Sequence, residues 1–285
     1  MDGILVVDKP AGMTSHDVIA IVRRQLSERR VGHAGTLDPD ATGVLVLGVG
    51  RATRLLRFIE IHEKEYEAEM TLGVETSTQD ASGDVVSESD ASAVTRDDVE
   101  RAAAAMVGDI SQVPPMVSAV KVGGERLYRK ARRGEEVERE PRRVVVHALD
   151  VESFTPGQRA SARLRVRCSR GTYVRTLAYD LGRALGVGGH VATLRRVRVG
   201  GFIADRAVAP TVVSEAVVRP IIDAVEGYPR RDVTSEEATT VVHGKPLPAF
   251  GIEGPYAVVS PDGLVSMSED RGDESRPICV VGGAS

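Results

Sequence analysis

The sequence predicts an α+β fold that ends in a small β-rich segment. Three observations predict it. Residues Glu63 to Leu72 alternate: Tyr66, Ala68, Met70 and Leu72 point one way, Glu65, Glu67, Glu69 and Thr71 the other, which is the period of a half-buried strand. Val18, Ile21, Val22 and Leu26 recur at helical spacing. After Tyr228-Pro-Arg-Arg231 the texture changes to short apolar runs punctuated by Pro and Gly.

In chain order, Gly3-Ile-Leu-Val-Val7 reads as a buried strand closed by the turn Asp8-Lys9-Pro10-Ala11-Gly12. Thr14 and Asp17 stand at capping-box spacing before the first helix, which closes on basic residues. Val31 to Gly43 holds three glycines and Pro39, a composition that forbids a helix or a central strand there and predicts a constrained loop. It runs into Val44-Leu-Val-Leu-Gly-Val49, an apolar strand. Gly73 to Asp98 reads as polar loop with weak structure, and Val99 to Val107 as a short Ala-rich helix. From Arg159 to Arg198 the pattern is strand, glycine turn, helix and glycine-rich turn, with Val174, Leu177, Leu181 and Leu185 on one helical stripe. A helix over Ser235 to His243 and a hairpin at Tyr256 to Val265 make up the last segment. The expected division is a main domain over residues 1–228, with an insertion at about 114–143, and a small domain over 229–285.

The 285 residues include 37 Lys and Arg, 41 Asp and Glu, 4% aromatics, no Trp and two cysteines. That composition excludes collagenous, disulfide-scaffold and wholly disordered chains. The net charge of -4 argues at first against a polyanion partner. The total conceals segregation. Residues 60–109 carry fourteen acids and three bases, whereas residues 159–198 carry ten arginines and one acid. Arg163, Arg165 and Arg167 share one face of a strand. They either pair with the Glu65/Glu67/Glu69 face or track phosphates. Cys168 falls on an apolar strand face, the setting of a buried inert thiol. No Cys/His metal spacing, phosphate loop or nucleotide fingerprint is present, so no metal is expected. The absence of a signal-like N-terminus and of a long apolar run predicts a cytoplasmic protein without a membrane partner.

The informative stretch is Gly32-His-Ala-Gly-Thr-Leu-Asp-Pro-Asp-Ala-Thr-Gly43. Asp38 precedes Pro39 among glycines that let a backbone or nucleotide approach closely. An ionised carboxylate can act as base or nucleophile on a glycosidic carbon or its neighbour. Asp38 could equally be a turn residue, and Asp40 is its local rival.

This stretch resembles the central motif of the bacterial TruB-type tRNA pseudouridine-55 synthases. Gly3 through Ser15, Lys64-Glu-Tyr66, Ser118-Ala-Val-Lys121 with Leu127-Tyr128 and Ala131-Arg132, Cys168 through Arg175 and His190 through Arg196 resemble the family's other motifs, in order. The resemblance implies a pseudouridine-synthase catalytic domain with a central mixed, largely antiparallel sheet flanked by helices, and a PUA-like C-terminal RNA-binding domain. It implies isomerisation of the T-loop uridine-55 of tRNA, without a cofactor, by base flipping, cleavage of the N1–C1′ bond and rejoining through C5. It assigns as catalytic residues Asp38, the carboxylate, Arg175, its partner cation, and Tyr66, the ring that stacks on the flipped base or also moves a proton. Tyr173 and Leu194 match pocket residues, His33 a residue beside the flipped nucleotides, and Lys9 with Pro10 the first motif. The charged insertion matches a loop that grips the RNA stem-loop. tRNA is the one partner implied, with the protein acting as a monomer and with room for a second role in tRNA folding. Two tyrosines suffice to stack one extruded base, so the low aromatic count is no obstacle.

Three other readings stand beside this one. A guide-RNA-dependent relative would use the same site residues, but would be favoured by a basic tail that is missing here. A folding protein without catalysis would not need Asp38, Tyr66 and Arg175 together. A glycosidase would want a second facing carboxylate.

Overall fold

The computed structural model describes residues 1–118, 121–127, 130, 133–135 and 137–282. Ala119, Val120, Tyr128, Ala131 and Arg132 of the insertion motif lie outside the described residues. The first elements are β1 (Gly3–Lys9), α1 (Ser15–Gln25), β2 (Val31–His33), β3 (Thr42–Val49) and α2 (Leu56–Glu60). Next come β4 (Lys64–Leu72), β5 (Val74–Thr76), β6 (Val85–Glu88), α3 (Arg96–Ala104), β7 (Gly108–Gln112), β8 (Lys121–Val122) and β9 (Glu125–Arg126). They are followed by β10 (Arg142–Thr155), β11 (Ser161–Cys168), α4 (Val174–Ala184), β12 (Gly189–Val199) and β13 (Phe202–Ile203). The last are β14 (Arg230–Asp232), α5 (Ser235–Val242), β15 (Leu247–Pro248), β16 (Tyr256–Ser260), β17 (Gly263–Arg271) and β18 (Glu274–Val280). The α+β class is as the sequence predicts.

The chain divides into two compact units. The first comprises Met1–Pro39, Gly43–Ile61 and Val199–Ser285. Here β1 and β3 form an antiparallel ladder from Gly3 opposite Val49 to Lys9 opposite Gly43. The apolar runs that read as buried strands are buried almost throughout, as expected when both faces are covered. Thr14 caps α1 with both capping-box bonds, and Val18, Ile19 and Val22 face inward. Ile19, not the expected Ile21, completes the buried stripe. The loop expected over Val31 to Gly43 begins with a short strand: β2 pairs with β3 through Gly32 opposite Gly48. A Cβ on Gly32 would lie 2.9 Å from a Leu56 methyl carbon, so glycine permits this approach.

The same unit contains the C-terminal five-stranded sheet, ordered β14-β16-β17-β18-β15. Its pairings are antiparallel except β14 with β16. Ala257, Val259, Leu264, Met267 and Val281 of this segment share one core with Ile4, Val46, Leu55 and Phe58. Burying each such aliphatic or aromatic side chain contributes about 1.5–3 kcal/mol, so the shared core binds the segment firmly to β1 and β3. On its other face, Val233, Val241, Tyr256, Val258 and Val265 form a separate cluster under α5.

The second unit comprises Asp40–Thr42 and His62–Arg198. Its strands run in the order β12-β4-β11-β10-β7. Strand β4 has the strict buried and half-buried alternation read from its sequence. It pairs antiparallel with β11, and β11 with β10. Two irregularities in the β10 register, at Val146/Ala148 and Val151/Ser153, break its period. That is why this strand gives no clean alternation in the sequence. Helix α3 starts earlier than expected because Thr95 and Asp98 form a capping box. The acidic stretch expected to be a weakly structured loop instead holds the β5–β6 hairpin and an ordered turn between them. Within that turn Asp80 accepts from Thr78 Oγ1 and from the Ser82 backbone and hydroxyl, at 2.6 to 3.0 Å.

Candidate active site

The residues marked out by the sequence lie in both units. In the first unit Asp38 sits between two fastened neighbours. Leu37 exchanges bonds with the buried Ser15 hydroxyl: its N–H donates at 3.0 Å and its carbonyl accepts at 3.2 Å. The Pro39 carbonyl accepts from the Gly12 N–H at 3.0 Å and from Lys9 Nζ at 2.8 Å. The backbone on either side of the half-buried Asp38 is therefore held, which is how a loop presents a carboxylate in one orientation.

Lys9 is fully buried (0% exposed). Its ammonium also donates to the carbonyls of Pro10 and Met13, at 2.9 and 2.6 Å. These bonds engage all three ammonium donors and knit the end of β1, the following turn and the Asp38 loop into one piece. His33, half-buried at the end of β2, meets His16 of α1 edge to face with ring centroids 5.6 Å apart.

In the second unit Tyr66 lies on the inward face of β4, opposite Val166 of β11, and is 8% exposed. Lys64 precedes it on the same face and donates to the His62 carbonyl at 2.7 Å. Leu194 is half-buried on β12. Tyr173 is the residue that starts α4, and its side chain caps nothing. Arg175, in the first turn, is 3% exposed. A cation there opposes the helix dipole and, being buried, needs partners. It has Asp80 Oδ2 at 3.1 Å and the carbonyls of Thr78 and Val117 at 2.8 and 2.9 Å. Thr176 donates to Gln79 Oε1 at 2.9 Å, and the Gln79 carbonyl accepts from the Val191 N–H. Three consecutive residues of the turn, Thr78, Gln79 and Asp80, thus grip Arg175 and Thr176 at the start of α4. Gln79 holds a positive φ of 64° to make that grip, a conformation that costs a non-glycine residue of order 1 kcal/mol or more.

Asp80 and Gln112 were missed in the sequence. Asp80 offered only one faint signal, an acid three residues before Gly83 in a polar stretch. Gln112 offered none. Gln112 donates to the Tyr173 carbonyl at 3.3 Å and accepts its N–H at 3.0 Å.

The arginine face resolves in favour of pairing at its centre. Arg165 donates to Glu65, Glu67 and Glu152 at 2.7 to 2.8 Å, and Arg198 to Glu65 at 2.9 Å. Burial pushes the Glu65 carboxyl up, but the bonds from Arg165 and Arg198 outweigh it and hold it below its ordinary value. Arg159 pairs with Glu88. Much of the excess in the cationic segment is therefore neutralised by the acidic one. Among the described residues Arg142, Arg143, Arg163, Arg167 and Arg170 are exposed and form no ion pair. Cys168 is inert as expected: burial pushes its thiol up to about 11.

Comparison with known proteins agrees with these motifs. The profile described as the TruB family pseudouridylate synthase N-terminal domain matches residues 23–174. The tRNA pseudouridylate synthase B C-terminal domain matches 175–226, and the tRNA pseudouridine synthase II C-terminal domain matches 228–282. The chain belongs to the TruB family of pseudouridylate synthases. It is 47% identical to the tRNA pseudouridine synthase B of Thermobifida fusca, over 99% of each chain. It is 53% identical to that of Symbiobacterium thermophilum, over 86% of this chain and 82% of the other. A solved structure of an H/ACA ribonucleoprotein bound to a substrate RNA containing 2′-deoxyuridine shares the fold, with a TM-score of 0.73 and 23% identity over 99% of this chain and 85% of that one.

Proposed function

We propose that this protein is a tRNA pseudouridine synthase that converts uridine-55 of the T loop to pseudouridine. The observation that carries the reading is Asp38: a carboxylate clamped on both flanks, standing in the central motif of a TruB-family chain. The uridine leaves its stack to reach the site, at a cost of a few kcal/mol offset by stacking on a tyrosine and by phosphate contacts. The uracil N1–C1′ bond breaks, the base turns, and a C5–C1′ bond forms. The C5 hydrogen departs to solvent and N1 gains a proton, so the reaction is a net isomerisation and needs no cofactor.

In this reading Asp38 is the catalytic carboxylate, Tyr66 stacks on the flipped base and Arg175 offsets the carboxylate charge. Tyr173, Leu194 and His33 line the nucleotide, and Lys9 supports the loop. Phosphate contacts fall to exposed arginines outside the Glu65 network, foremost Arg142, Arg143 and Arg170. The enzyme works in the cytoplasm as a monomer, with residues 229–285 as an accessory RNA-binding segment.

The test uses purified protein and an unmodified tRNA transcript carrying 5-tritiated uridine, with no metal, nucleotide or guide RNA. Tritium release by the wild type, lost in Asp38→Asn with tRNA binding retained, is the expected result. Release by Asp38→Asn at the wild-type rate would overturn the assignment of Asp38. A requirement for guide RNA would favour the ribonucleoprotein-type reading.

A further inference from the structure

Gln112, the last residue of β7, is 1% exposed. Its backbone belongs to the β7–β10 ladder, opposite Arg142. Its side-chain amide faces the backbone of Tyr173, accepting the N–H at 3.0 Å and donating to the carbonyl at 3.3 Å. A primary amide presents one donor and one acceptor edge to edge, so it pairs with an extended residue as a neighbouring strand would. Tyr173 has that extended conformation, with φ -99° and ψ 106°. Its carbonyl also takes the first helical bond of α4, from the Leu177 N–H.

The residues that follow Gln112 add a second hold. Pro114 and Pro115 stiffen the segment, and the Val117 carbonyl accepts from Arg175 Nη2 at 2.9 Å. Residues 112–117 therefore grip the entry of α4 at Tyr173 by its backbone and at Arg175 by its guanidinium. Tyr173 lacks a side-chain cap of its own, so the amide of Gln112 sets the direction in which the chain enters the helix.

We infer that Gln112 is a positioning residue for pseudouridine formation: it fixes the backbone of Tyr173 and, through it, the placement of the Tyr173 ring and the Arg175 guanidinium. The inference rests on the function proposed above. Gln112 touches no reacting atom and acts through α4.

Two variants test it in the tritium-release assay, at saturating tRNA and across tRNA concentrations. Gln112→Met keeps the bulk and removes both bonds. Its kcat falls about 10²-fold, the scale of a misplacement of about 1 Å at a reacting centre, while KM for tRNA stays within about threefold because the phosphate-binding surface is untouched. Gln112→Glu is the finer probe, and it carries the test if Gln112→Met does not fold. When protonated, its carboxyl restores one donor and one acceptor. When ionised, it turns a second acceptor toward the Tyr173 carbonyl. Burial favours the protonated form, while Arg142 and Arg175, the cations flanking the position, favour the ionised one. The ratio of Gln112→Glu to wild-type kcat therefore climbs as pH is lowered from about 8.5 to about 5.5.

Wild-type kcat in both variants would overturn the inference. So would a pH-independent loss that tracks a fall in melting temperature, the mark of a helix cap and nothing more. Failure of the underlying function looks different, because the wild type itself would release no tritium.

Discussion

Replacing Lys9 by Met separates a loop support from a substrate contact. The substitution removes the ammonium and keeps most of the aliphatic length. The Pro39 carbonyl retains the Gly12 N–H as a donor, but the carbonyls of Pro10 and Met13 lose Lys9, their bond at 2.9 and 2.6 Å respectively. A fully buried carbonyl left without its partner costs about 1–3 kcal/mol; these two are only partly buried, so together they cost at most about 2–6 kcal/mol. Removing a buried cation relieves its desolvation, which places the expected loss in the lower half of that range. At about 2–4 °C per kcal/mol for a domain of this size, the melting temperature falls by about 4–16 °C. Differential scanning calorimetry measures this directly. The same loosening lets Pro39 and its neighbour Asp38 wander, so kcat falls at saturating tRNA. The reasoning is refuted if Lys9→Met melts within about 2 °C of wild type and raises only KM, because that is how a substrate contact on a rigid loop behaves.

Two further predictions concern charge. Arg165→Met breaks bonds to three carboxylates on a partly exposed face, so after solvent screening it costs about 1 kcal/mol or less of stability. It leaves the salt dependence of tRNA binding unchanged. Arg142→Ala with Arg170→Ala instead lowers the log–log salt slope by about 0.7–0.9 for each phosphate that the protein no longer neutralises. Filter binding between low and moderate salt distinguishes them, and a reduced slope in Arg165→Met would reject the pairing assigned to that face. In the C-terminal sheet, burial pushes the Asp270 carboxyl up. Bonds from Tyr256 and the N–H groups of Ile252, Gly251 and Phe250 prevail, holding it below its ordinary value. A depressed folded pKa contributes stability that is present above the unfolded value, about 3.9, and is lost as pH falls through the folded one. The difference in melting temperature between wild type and Asp270→Asn is therefore full near neutrality and shrinks below about pH 4. A pH-independent difference would show that the carboxylate charge does not hold the 250–252 loop.

Local patterns were legible in the sequence. The alternation of β4 placed Tyr66 on the inward face, and the capping box at Thr14 and Asp17 placed the start of α1. The apolar stripe Val174, Leu177 and Leu181 placed α4, and with it Arg175 in the first turn. Each signal has the period of the element it marks. Strand β10 escaped because two irregularities break its period, and the turn at 77–84 escaped because its order comes from side chains bonding to backbone. Segment charge was read correctly as a count. Its meaning lay in pairing: β4 and β11 are neighbours, so the glutamates of one neutralise Arg165 of the other.

By itself, then, the sequence determined the α+β class and the family's motifs, among which the resemblance singles out Asp38 as the carboxylate to test, because motif spacing and hydrophobic period are properties of a short stretch of chain. Only the tertiary structure decided what holds those residues. Lys9 reaches Pro39 across thirty positions, Arg175 reaches Thr78 across 97, and Gln112 reaches Tyr173 across 61. A buried donor or acceptor takes whatever partner the packing brings within about 3 Å. At such separations along the chain no local pattern of residues specifies which partner that is.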